Sequence, residues 1–162
     1  MFVLRRVLPI VLSALVLSTN FLPWAHAGIA VGTEEVFGHE IPVIGWSAIV
    51  ASLVLLGLSV VGAVHPSRWW WVGASFVAAL MVTSAAVTLA TIDVVDSAAV
   101  KWIIEVLPEA VRDSSPSISP SFGLWAMVGV LTAQLVVMAV VTVRLGASVG
   151  QKSSRNSSSN VS

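Results

Sequence analysis

Cysteine is absent from all 162 residues. That excludes disulfides in any external loop, thiolate nucleophiles and cysteine-held metal. Charge is also scarce, at 10% of residues against about a quarter in a soluble domain. Four stretches carry none at all: 7–33, 41–67, 69–92 and 114–143. No ionisable side chain is therefore expected deep in a membrane span. Proton relays, pumps and ion-coupled transporters need such groups at depth, so these classes are disfavoured, as is an intramembrane acid/base enzyme. Glycine-rich phosphate loops, nucleophile elbows and a Ser/His/Asp order are missing too. Nothing points to nucleic acid, to a cofactor or to catalytic residues, and the apolar stretches leave no room for a separate soluble catalytic domain.

What is present is hydrophobicity, 57% of the chain, in runs that each exceed the roughly 20 residues of a membrane-crossing helix. Threading them up and down sorts the charges. Arg5, Arg6, Arg68, Arg144, Lys152 and Arg155 fall on one face. Glu34, Glu35, Glu40, Asp93, Asp96, Glu105, Glu109 and Asp113 fall on the other, with only Lys101 and Arg112 among them. The formal net charge of zero hides this split. The positive-inside bias makes the first face cytoplasmic. The expected fold is all-α: a membrane four-helix bundle over residues 1–145, with spans near 7–24, 42–64, 69–92 and 122–144 and both termini inside. The Ser/Asn-rich stretch 146–162 is expected to be a disordered cytoplasmic tail. The absence of cysteine in external loops suits a bacterial plasma membrane.

The start of the chain admits two readings. Met1 to Arg6 is basic, Val7 to Leu22 is apolar, and Ala25-His26-Ala27 before Gly28 has the pattern of a signal-peptide cleavage site. The apolar run is long for that purpose, so a retained span ending at Pro23 and Trp24 is preferred. Residues 28–40, with three glycines and three glutamates, read as a solvated external loop. Pro42 opens the second span, where a missing first-turn N–H costs nothing. The short turn at 65–68 makes spans two and three an antiparallel hairpin. Between spans three and four, Val100, Ile103, Ile104, Leu107 and Val111 recur at helical spacing. They predict a short amphipathic helix on the outer surface, bent or restarted at Pro108. A looser Ser/Pro stretch, 113–121, follows. A faint internal echo pairs Gly45-Trp46-Ser47-Ala48 with Gly123-Leu124-Trp125-Ala126.

In lipid, helices associate through close packing of small residues. Ala74 and Ala78, Ser75 and Ala79, Ser84 and Thr88, Ser47 and Ala51, and Gly129 and Ala133 all sit four apart. Gln134 is the strongly polar side chain near mid-span, and a hydrogen bond inside the bundle is expected of it. Trp24, Trp46, Trp69, Trp70, Trp71 and Trp125 read as interfacial anchors. His26, Glu34, Glu35, His39 and Glu40 are close in sequence but match no metal-ligand spacing. Glu35 and His39 would converge only on a helix, which the glycines oppose, so no metal is expected.

Leu22-Pro23-Trp24 closing the first span, the glycine-bearing loop, the basic inner turn and Gly123-Leu124-Trp125 opening the last span resemble small tetraspan membrane proteins of high-GC Gram-positive bacteria. The resemblance covers roughly residues 3–145 and implies no activity or cofactor. Claudin-like tetraspans fit less well, since their external loop carries paired cysteines.

These observations favour a non-enzymatic accessory or structural subunit that docks against a larger membrane complex and otherwise meets membrane lipids. The expected docking residues are Val100, Ile103, Ile104, Leu107, Val111, Gly129 and Ala133. The alternative is a small oligomeric pore or lipid-binding transporter, a homo-oligomer with Gln134, Thr132 and Ser84 lining a path.

Overall fold

The computed structural model describes residues 2–29, 32–65, 67–92, 97–113 and 116–158. Six helices and three strands follow in the order α1 (Phe2–Thr19), β1 (Pro23–Ile29), β2 (Gly32–Phe37), α2 (Pro42–Val64), α3 (Arg68–Thr91), α4 (Ala98–Val106), α5 (Glu109–Arg112), β3 (Ser117–Pro120) and α6 (Phe122–Ser158). A 3-10 turn, Gly38–Glu40, joins β2 to α2. Asp93 and Asp96 lie outside the described residues.

Helices α1, α2, α3 and α6 pack as a ring, each against two neighbours, with little contact across the diagonals. Three stretches are long and apolar enough to cross a membrane: Pro42–Val64, Arg68–Thr91 and the Phe122–Arg144 part of α6. Only 28%, 28% and 22% of their apolar windows is buried within the chain. The remainder is half-buried or exposed, and Val50, Leu53, Phe76, Leu80, Val87, Val136 and Val140 form an exposed apolar girdle. A girdle this continuous marks a membrane or protein contact.

The fold is mostly helical but not all-α. A three-stranded antiparallel sheet, in the order β2-β1-β3, covers one end of the ring. The stretch expected as a solvated loop is the β1–β2 hairpin, and the loose Ser/Pro stretch contains β3. Strand period explains the burial: Ala25 and Ala27 point into the core with Val36, and His26 points away. The ladder is irregular between Pro23 and Ala25, where consecutive Trp24 and Ala25 are both buried.

Helix α1 stops at Thr19, earlier than the expected end at 24, and its apolar part, Arg6–Thr19, is shorter than the three spans. The last carbonyls explain the stop. Asn20 Nδ2 donates to Val16 O and Leu17 O, both at 3.1 Å. Phe21 N donates to Ser18 O, and Leu22 N and Trp24 Nε1 both donate to Thr19 O. Every orphan carbonyl of the final turn is thereby answered. The chain is then free to leave as a strand. At the other terminus the helical backbone of α6 runs past 144 to Ser158.

Sheet and bundle meet closely at two helix starts. A Cβ on Gly45 would collide with the Gly38 carbonyl, and one on Gly123 with the Pro23 carbonyl. The paired Gly45 and Gly123 thus share a physical role. Each lets the backbone of the cap approach the first turn of a helix.

Candidate functional site

The bundle interior contains a polar ladder. Gln134 of α6 is fully buried, and its Nε2 donates to Ser13 Oγ at 2.8 Å and to Pro9 O at 3.1 Å. Ser13 Oγ shares a hydrogen bond with Ser59 Oγ of α2 at 2.9 Å. One layer nearer the sheet, Asn20 Nδ2 also reaches Ser52 Oγ at 3.2 Å. Ser13 on α1 and Asn20 just past its end are seven apart, as are Ser52 and Ser59 on antiparallel α2, so both rungs belong to a single register. Pro9 contributes its carbonyl, which accepts from both Ser13 and Gln134.

The ladder ties the N-terminal segment to α2 and α6. Val16 and Leu55, both completely buried, lie between its rungs along the chain. Gln134 Oε1 and Asn20 Oδ1 are buried and accept no hydrogen bond from the protein. Thr132 and Ser84, expected to share a path with Gln134, are exposed on α6 and α3. The three do not converge. The sequence reading named Gln134 but missed Ser13, Asn20, Ser52 and Ser59. Their paired seven-residue spacing, along α1 and its end and along α2, was the available signal.

A second feature lies on the other side of the ring. Between α2, α3 and α6, at the sheet end, is an apolar slot of about 180 Å³. Its lining includes Ala48 and Ala51 of α2, Met81 and Ala85 of α3, Met127 of α6 and the indole of Trp24.

The expected docking stripe lies elsewhere than supposed. Val100, Ile103, Leu107 and Val111 are buried in the chain's own core, and Ile104 is partly so. Helix α4 packs on α2 and α3. Ser97 caps it through its side chain, which accepts from Val100 N. It ends at Val106, and α5 restarts after Pro108. This corrects the docking assignment for those residues, because an amphipathic stripe next to an open bundle end covers that end first. Gly129 and Ala133, by contrast, are exposed on α6, and nothing lies within 4 Å of a Cβ built at Gly129.

The tryptophans divide. Trp46, Trp69, Trp70 and Trp125 are exposed, Trp69 at 80%. Trp24 and Trp71 are only 3% and 2% exposed and are not anchors. Trp24 is held through its indole N–H, and Trp71 packs on Gly62, where a Cβ would approach its ring to 3.0 Å.

Among the described residues no group of three or more His, Asp or Glu could hold a metal. His26 pairs with Glu35 across the sheet, whereas His39 lies between the rings of Phe21 and Phe37. Glu40 accepts from Phe37 N at 3.0 Å.

Comparison with protein-family models, with curated proteins and with solved structures finds no match.

Proposed function

We propose that this chain is a non-enzymatic membrane subunit that docks laterally against a larger membrane complex through the open face of α6. The supporting observation is the stripe Trp125, Gly129, Ala133, Val136 and Val140, which is exposed although α6 already packs against α1 and α3. Gly129 and Ala133 form a shallow stretch where another helix can approach closely, the contact that favours association in lipid. The amide N–H groups and the hydroxyls of the ladder are engaged in holding the bundle together. In this reading α1 is a retained member of the bundle, since Ser13 and Asn20 supply both rungs. The charge segregation supports a bacterial plasma-membrane protein with the sheet outside and both termini inside.

The test is purification of a tagged chain in mild detergent. Larger membrane proteins are expected to co-purify in fixed ratio, and Gly129→Leu with Ala133→Leu should release them while the chain still accumulates. Retention of the partners by the double variant, or recovery of the chain only as a self-oligomer, sinks the proposal. For orientation, an impermeant thiol reagent on intact cells should label a cysteine at Glu35 and spare one at Ser153.

A further inference from the structure

We infer that the slot between α2, α3 and α6 holds one acyl chain of a membrane phospholipid from the sheet-side leaflet. The inference rests on the membrane placement above but not on any partner.

Chemistry sets the class of occupant. The slot is floored by Ala48, Ala51 and Ala85 and walled by Met81 and Met127. Two of its three hydroxyls are already engaged, and the third, that of Ser84, stands exposed at the mouth. Ser47 Oγ donates to Ile44 O at 2.9 Å, and Thr88 Oγ1 donates to Ser84 O at 3.0 Å. The indole N–H of Trp24 is spent on Thr19 O at 2.9 Å. A polar solute would find few free donors. Water would lack the two to four partners it needs, and apolar cavities of about 150 Å³ stay dry and take up hydrocarbon.

Shape narrows the occupant further. The lining runs from Ile44 to Ala51 on α2 and from Leu80 to Thr88 on α3. At about 1.5 Å per residue that is a cleft roughly 10–12 Å long, parallel to the spans as an acyl chain is. Exposed Ser47, Leu80 and Ser84 border its mouth, so it opens to the girdle that faces hydrocarbon. A helix is about 10 Å across with its side chains and cannot enter a space of 180 Å³. A single hydrocarbon chain can. Ala51, expected as a helix-packing position, leaves the room it needs together with Ala48 and Ala85.

The experiment uses the full chain in vesicles of phosphatidylglycerol and phosphatidylethanolamine. A trace of phosphatidylglycerol carries a diazirine midway along one acyl chain. After illumination, adducts are mapped by peptide mass spectrometry. Adducts are expected on Met81 and Met127 as well as on the exposed Phe76 and Val136. Ala51→Phe, which fills the slot, should abolish the first pair and leave the second. Ala85→Leu narrows the slot from α3 and gives the same reading if Ala51→Phe does not fold. Labelling of Phe76 and Val136 without Met81 and Met127 overturns the inference, as does slot labelling that survives both substitutions. Absence of all four adducts means the chain is not in the bilayer, and then both the inference and the membrane reading fall.

Discussion

The cap and the bundle are held together by different forces, although both are built from alanine, valine, leucine and isoleucine. In the cap, Ala25, Ala27, Val36, Val100 and Ile103 are all buried, because exposure there means exposure to water. In the bundle, most of each span's apolar window is not buried within the chain, because hydrocarbon outside is no worse than side chains inside. The cap needs dense apolar packing and permits none of its core to face out. The bundle needs specific contacts instead: Gln134 to Ser13, Asn20 to Ser52, Trp71 on Gly62. It tolerates a slot beside them. Burial therefore measures stability in one region and not in the other.

The sharpest way to break this contrast is at the joint. Gly45→Ala places a Cβ against the Gly38 carbonyl, which no rotamer change relieves. A loss of at least about 3 kcal/mol is expected, read as a lowered unfolding midpoint in mild detergent. A midpoint within error of the parent would mean that cap and bundle do not meet as described. Next in size is Ile103→Ser, which removes a side chain that is 1% exposed from the cap core. It should cost about 3–4 kcal/mol, whereas Ile104→Ser, at a partly buried position, should cost about 1 kcal/mol or less. Equal small effects, with loss of a co-purifying protein, would return this helix to a docking role. Smallest is Gln134→Leu. It deletes two hydrogen bonds to oxygen and a weak one to Met138 Sδ, but also an unpaired buried acceptor, so only about 1 kcal/mol should be lost. A fall of several kcal/mol in a denaturant titration would show that polar contacts dominate the bundle more than is argued here.

Much of the architecture was legible because its causes are local. Proline at the first turn of α2, the unbroken apolar length of α2 and α3 and the charges at 68 and 144 place the helices where they are found. The break between α4 and α5 falls at Pro108, as the sequence indicates. The sheet was hidden because its strands are short and rich in glycine and small residues. Its β1–β3 pairing also joins segments far apart in the chain, so no local pattern carries it. The end of α1 was hidden for a related reason. Asn20 and Trp24 stop the helix by reaching carbonyls, while hydropathy reads the same stretch as continuous.

Composition and spacing alone determined that this chain is mostly helical, where its long apolar helices lie, and that an amphipathic helix sits between the last two. These depend on hydropathy and on neighbours within a turn or two. The tertiary structure decided what each face covers. It turned the α4 stripe inward and gathered Ser13, Ser59 and Gln134 into one rung. It sent Trp24 and Trp71 into the core while leaving Trp69 out, and left α6 and the slot open. Those outcomes depend on which surfaces meet across the ring, and a periodic pattern identifies an apolar face without specifying its partner.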